Sequence, residues 1–340
     1  MLRDTIIAPA TSSSSQPNDL AEGPTSSFWR RLLSPRTLFS FLIALALLVA
    51  LWRMVGLDWR GVWSEIRQVD IRLYVLALLV YYTTLIPRAL RWRRMLRNLG
   101  HRVPLRLLGE VIFLSWFINH LIPAKMGDLY RGLVLRRREG ISFALATGSV
   151  LAERAVDILA LFAVATITAL LFVRGRLLTE MQGVLLGAAI VVVIMVGGLF
   201  VLWRLDSTLL ARFPLSLGER FERLQRGIFT SVRPLWLMLL LTVLVWAAEA
   251  GRFLLVANAL GINLALPQLL FVFAAGALLL AAPTPGGLGA VEGGMVGVML
   301  LLDVPVETAA AVALLDRLIS YWLVLIPGAG YYFTHARLRL

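Results

Sequence analysis

Apolar residues run along this chain in long blocks, and polar residues are confined to the stretches between them. A block of about twenty apolar residues is what a helix needs to cross a bilayer. The pattern predicts spans over residues 38–55, 71–87, 144–173, 184–203, 235–259 and 308–333. Residues 1–27 lack it and are rich in Ser, Thr and Pro, so a disordered cytoplasmic tail is expected over 1–34, with one transmembrane domain over 35–340. The first apolar block begins too far from Met1 and lacks a small-residue cleavage site, which marks it as a retained anchor rather than a signal peptide.

Two apolar segments are interrupted. Residues 105–122 run straight into Pro123-Ala124-Lys125-Met126-Gly127-Asp128. Residues 267–282 run into Pro283-Thr284-Pro285-Gly286-Gly287-Leu288-Gly289, and a second apolar stretch follows at 290–302. Pro and Gly stop helices. A helix broken at membrane depth is tolerated only where protein or a cavity satisfies its backbone.

The arginines orient these segments. Residues 88–106 hold seven Arg, and 125–138 hold four Arg and one Lys. Positive loops stay in the cytoplasm, and one span cannot have two cytoplasmic ends. Segment 105–122 therefore reads as a re-entrant hairpin that enters and leaves from the cytoplasm. Around the second break, 261–267 carries no charge and 303–307 is acidic, so that hairpin opens outward. Residues 204–233 carry six Arg, and the remaining termini are basic. The predicted fold is all-α: about six spans plus two re-entrant hairpins, with both termini cytoplasmic. Asp58, Arg60, Glu65 and Arg67 fall in a predicted external loop that is not free of arginine.

The chain also repeats itself. Arg252-Phe253 echoes Arg91-Trp92 at 161 residues, Thr284-Pro285 echoes Ile122-Pro123 at 162, and Asp316-Arg317 echoes Glu153-Arg154 at 163. Three matches in one order predict a duplicated unit, repeat one over about 71–173 and repeat two over about 235–333. The equivalent helices lie three crossings apart, and an odd number inverts the second copy. Inverted repeats ending in broken helices are a transporter signature.

Composition narrows the function classes. Hydrophobic residues are 59% of 340 and charged residues 16%, so the net charge of +13 belongs to a membrane protein's loops rather than to a nucleic-acid face. With no Cys, thiolate chemistry and Cys-held metals are excluded, and the three His (His101, His120, His335) form no ligand spacing. No cofactor or metal is expected.

Seven charges fall well inside predicted spans, away from their ends: Glu153, Arg154, Asp157, Glu249, Arg252, Asp316 and Arg317. Each costs about 2.5–3.5 kcal/mol at a helix centre, so together they must pair or line a wet cavity. Two readings apply: paired acids and arginines that hold helices together, or a substrate site. Glu249 and Arg252 stand three apart on one face. The run Pro283, Pro285, Gly286, Gly287, Gly289 is either plain helix breaking or a backbone cradle for an anionic headgroup. Glu292 in the first turn after it either caps that helix or meets a cation or proton. Gly289, Gly293 and Gly297 suggest close helix packing. Asp128 and Arg131, at i and i+3, read as a surface ion pair or as part of the first hairpin's site. Trp29, Trp52, Trp59, Trp92 and Trp236 read as interfacial anchors.

These residues carry a resemblance. Asn119-x-x-x-Pro123-x-x-x-Gly127-Asp128-x-x-Arg131, Glu153-Arg154-x-x-Asp157, Pro285-Gly286-Gly287-Leu288-Gly289-x-x-Glu292 and Asp316-Arg317 resemble the lysylphosphatidylglycerol synthase transmembrane-region family, the flippase-like module of the bacterial multiple peptide resistance factor. The resemblance covers about residues 35–335. It implies movement of a lipid between leaflets of the cytoplasmic membrane, in the type member an aminoacylated phosphatidylglycerol. Two departures stand out: the family more often has Glu where this chain has Asp128, and no soluble aminoacyl-transferase domain precedes Leu340. The expected cargo is then another phospholipid or lipid-linked headgroup. The expected function is a flippase or transporter rather than an enzyme. In that mechanism Arg154 and Arg317 hold the phosphate, and Glu153, Asp157, Asp316 and Glu292 balance a cationic headgroup or carry a proton. The alternatives are a membrane-embedded transferase acting on a lipid-linked substrate and an accessory membrane subunit of a lipid synthase. Nucleic acid is not an expected partner; a homo-oligomer and a separate lipid-modifying enzyme stay open.

Overall fold

The computed structural model describes residues 56–123, 125–172, 176–204, 215–282 and 284–334, with isolated positions between 35 and 53. Most of the predicted first span and the tail before it lie outside the described residues, as do Ala124, Pro283 and the last six residues.

The described residues are helical, with no strand among them. A short amphipathic helix, α1 (Trp59–Arg67), is capped by Asp58, whose carboxylate accepts from the Arg60 amide at 3.0 Å. Next come α2 (Ile71–Thr83) and α3 (Leu85–Asn98), which run on as one rod, Ile71–Asn98, apolar in α2 and rich in arginine in α3. Asp70 caps its start through the Arg72 amide at 2.8 Å. The first broken segment is α4 (Leu105–Leu121) and α5 (Met126–Glu139), packed against each other. Then come α6 (Phe143–Phe172), α7 (Arg176–Arg204), α8 (Leu215–Phe229) and α9 (Leu235–Ala259). The second broken segment is α10 (Leu266–Leu279), a 3₁₀ turn at Pro285–Gly287, and α11 (Ala290–Leu301). The chain closes with α12 (Val306–Arg317), a π turn at Leu318–Trp322 and α13 (Leu323–Thr334).

Among the described residues, four helices are long and apolar enough to cross a membrane: Ile71–Asn98, Phe143–Leu171, Leu235–Ala259 and Val306–Thr334. The 30 residues of α6 reach about 45 Å at 1.5 Å per residue. The molecule is an all-α polytopic membrane protein. Large apolar side chains on its outside, such as Ile167, Leu170, Ile190, Val193 and Val243, would be indefensible in water and belong against lipid.

One predicted boundary is corrected. The span expected to end at residue 87 continues as helix to Asn98, and Arg88 and Arg91 are 6% and 1% exposed inside the protein rather than in a loop. Acids from other helices neutralise them, which sequence counting does not register.

Packing interleaves the two predicted repeats. Helix α2 lies on α9. The first broken segment packs through α4 on α13, and the second packs through α10 on α6. Each hairpin is thus held by a span of the other half. Small residues permit the close approaches: a Cβ on Gly148 of α6 would fall 2.3 Å from the Leu224 carbonyl oxygen of α8, and one on Gly227 2.4 Å from that of Leu145. Of the Gly289, Gly293, Gly297 spacing, Gly297 faces open space, and the neighbouring Gly294 is pressed against Leu279.

Candidate functional site

The charges converge where the two breaks meet. At the first break, Asn119 near the end of α4 ties the hairpin together. Its side-chain oxygen accepts from the Gly127 amide at 2.8 Å, and its Nδ2 donates to Asp128 Oδ1 at 3.2 Å. Gly127 has to be glycine, because a Cβ would sit 2.0 Å from the Ser115 carbonyl oxygen. Pro123 ends α4, and Lys125 at the turn adopts a left-handed conformation, φ 55°.

At the second break, Gly286 has φ 57° and Gly289 φ 81°, conformations natural to glycine. Pro283 is outside the described residues; Pro285, Gly286 and Gly287 are buried. Glu292 caps α11 by accepting from the Gly289 amide at 2.7 Å, and also accepts from Arg317 Nε at 2.8 Å. Arg317 donates to the Gly286 carbonyl at 2.7 Å. The chain's own carboxylate therefore already satisfies this helix N-terminus. The two breaks touch: a Cβ on Gly286 would lie 2.6 Å from Tyr321 and 2.8 Å from His120, and the Tyr321 hydroxyl donates to the His120 carbonyl at 2.9 Å.

The ion pairs fall into matching sets. In the first half, Arg154 makes two bonds of 2.8 Å to Asp128; in the second, Arg317 pairs with Glu292. Arg91 meets Glu153 at 3.0 Å, and Arg252 meets Asp316. These residues stand 161 to 164 positions apart in the register of the repeated motifs. One further pair links the halves: Arg88 donates to Glu249 at 3.0 Å across 161 residues, so equivalent positions bind each other. Arg252 also reaches Glu249 at 3.3 Å, the expected i, i+3 contact.

A drier layer lies behind. Arg91 spans Asp157 at 2.7 Å, Glu153 and the Thr242 hydroxyl at 2.8 Å. Arg131 pairs with Glu153 at 2.8 Å and lies 4.0 Å over the ring centre of Trp92. Trp246 donates to Asp157 at 3.0 Å. Asp128 and Arg131 do not form a surface pair: both are buried and each binds a residue of α6. Trp92 is fully buried under Arg131 rather than anchoring an interface, whereas Trp59 and Trp236 are exposed.

Two cavities adjoin the cluster. The polar one, about 130 Å³, is lined by Arg88, Lys125, Arg154, Glu249, Arg252, Asp316 and Arg317, with Trp116, Trp246 and both hairpins closing it. The other, about 380 Å³, lies between α6 and the end of α10; its walls are mostly apolar, with Asp128, Asp157 and Arg154 at one end. Glu153, Arg131 and Glu292 line neither. Among the described residues no group of three His, Asp or Glu is placed to hold a metal.

Sequence reasoning missed Arg88, Arg91 and Lys125 as site residues. Arg91 carried a usable signal, because its repeat counterpart Arg252 was nominated. Arg88 is the register mate of Glu249. Lys125 was hidden among residues counted only for orientation.

The profile of the family described as Lysylphosphatidylglycerol synthase TM region matches residues 37–328. The UPF0104 membrane protein MJ1078 of Methanocaldococcus jannaschii is 30% identical over 65% of this chain and 95% of its own length. A UPF0104 membrane protein of Methanothermobacter thermautotrophicus is 26% identical over 89% of this chain and 95% of its own. The glycosyltransferase AglD of Haloferax volcanii is 30% identical over 39% of this chain, which is 22% of AglD.

Proposed function

The chain belongs to the lysylphosphatidylglycerol synthase transmembrane-region family, and we propose that it moves a phospholipid or lipid-linked headgroup between leaflets of the cytoplasmic membrane. One observation carries this reading. Arg154 and Arg317, the arginines at equivalent register positions that pair with Asp128 and Glu292, line one polar cavity against which both broken helices end.

In this reading the duplication is inverted, so α4–α5 enters from the cytoplasm and α10–α11 from the opposite side, with both termini inside. A headgroup sits between the hairpins while its acyl chains stay in the bilayer. Arg154 and Arg317 hold the phosphate, and Glu249 and Asp316 balance a cationic group or take up a proton. Arg91, Arg131 and Glu153 clamp α3, α5 and α6 into one body that can rock against the rest. Contact between His120, Tyr321 and Gly286 closes one route, and parting of the hairpins opens it.

The AglD likeness favours one second reading: a membrane module that serves a separate lipid-modifying enzyme. Purified protein in liposomes separates the two. Leaflet exchange of a labelled phospholipid, with its covalent structure unchanged by mass spectrometry, supports transport. No exchange, with complex formation by a transferase, supports the accessory role. A new lipid species from the protein alone makes it an enzyme and sinks both.

A further inference from the structure

The charge inventory of the cluster leaves one group over. Arg88, Arg91, Arg131, Arg154, Arg252 and Arg317 each have a carboxylate oxygen within 3.3 Å. Asp128, Glu153, Asp157, Glu249, Glu292 and Asp316 supply them, six charges against six. Lys125 is the seventh cation. It makes no ion pair or side-chain hydrogen bond among the described residues, although it lines the polar cavity. It is also the single lysine of a chain with 32 arginines.

Its position is specific. Lys125, Arg154, Trp246, Ala277 and Leu280 line both cavities, so they mark the junction between the polar space and the apolar space beside it. The apolar side is walled by Val150, Leu151, Ile158 and Leu161 of α6 and by Leu278, beyond the junction residue Ala277. Leu151 is 45% exposed on the outer, lipid-facing flank. A ligand bridging this junction needs an anionic head and an apolar tail. Arg88, 6% exposed, also lines the polar cavity; its buried Nε–H, like those of Arg91 and Arg131, has no acceptor among the described residues.

The residue type fits. An ammonium is a compact, rotatable point charge that binds phosphate without the planar match a guanidinium makes to carboxylates. Lys125 therefore stays free beside Asp128, which Arg154 holds in a two-bond pair. Glycine would adopt the left-handed turn more easily, so the lysine is held there for its side chain.

We infer that Lys125 recognises the phosphodiester of a lipid with net negative charge, with the acyl chains in the cavity between α6 and α10, and so selects anionic over zwitterionic headgroups. The lipid identity rests on the proposed translocation, but recognition is measurable without transport. Intrinsic fluorescence of the ten tryptophans, of which Trp116 and Trp246 line the polar cavity, is titrated with phosphatidylglycerol, phosphatidylcholine or glycerol 3-phosphate on detergent-purified protein. Wild type should bind phosphatidylglycerol at least ten-fold more tightly than phosphatidylcholine. Lys125→Gln should weaken phosphatidylglycerol binding more than phosphatidylcholine binding and so abolish most of that ratio, and Lys125→Arg, which keeps the charge, should retain it. Thermal melts of the same samples exclude misfolding, and if Lys125→Gln melts early the Arg variant carries the comparison with Lys125→Met. An unchanged ratio in the neutral variants overturns the inference, and so does glycerol 3-phosphate binding as tightly as phosphatidylglycerol, which would make the ligand a soluble phosphate. Selective binding without leaflet exchange in liposomes would keep Lys125 as the selector and refute translocation instead.

Discussion

Arg154 and Arg317 occupy equivalent places in the two halves, yet their loss should have unequal effects. Arg317 is enclosed: its side chain is 4% exposed and that of its partner Glu292 8%. Arg317→Ala leaves Glu292 with the Gly289 amide alone and strips the Gly286 carbonyl of its donor. Removing one partner of a buried pair typically costs about 3–5 kcal/mol. Arg154 is different, with 30% of its side chain exposed to the cavities. Arg154→Ala leaves Asp128, 12% exposed, still bonded to Asn119 and beside space that Arg154 shares with both cavities, so the expected cost is smaller than for Arg317. Both variants should lose transport. The assay reads thermal stability in detergent and leaflet exchange in liposomes on the same preparations. Arg317→Ala should melt well below wild type, with most of the loss recovered by adding Glu292→Gln, which removes the stranded charge. Arg154→Ala should melt near wild type and be inactive. An Arg317→Ala protein as stable as wild type, or an aggregated Arg154→Ala, would refute the division into an enclosed pair and a wet one.

Two further outcomes are expected. Single cysteines placed at Arg97 and Arg137 of this cysteine-free chain should both label only from the cytoplasm, and one at Asp303 only from outside; opposite-side labelling of the first two would make the first hairpin a true span. Gly127→Val should destabilise the protein by several kcal/mol in chemical unfolding, because its side chain would collide with the Ser115 carbonyl and the Asn119 amide that fastens the hairpin; a near-wild-type midpoint would show that this turn is not rigidly held.

The helical class, the membrane setting and both chain breaks were readable in the sequence, because each follows from local rules. Apolar run length decides what can cross a bilayer, and Pro and Gly end helices wherever they fall. The repeat register went further and pointed to Glu153-Arg154 and Asp316-Arg317 before any contact was known. The partners of those charges were not readable. Arg88 and Arg91 have the composition of a basic loop, and only the packing of α3 between α6 and α9 shows that Glu153, Asp157 and Glu249 neutralise them. Asp128 and Arg131 are local neighbours whose true partners, Arg154 and Glu153, lie 26 and 22 residues away on α6. Lys125 is visible in the sequence as the single lysine, but its lack of a carboxylate partner among the described residues is a property of the folded cluster and not of any window of sequence. Inside a membrane the cost of an unpaired charge is high, so tertiary contacts decide which charged residues pair and which one is left without a carboxylate.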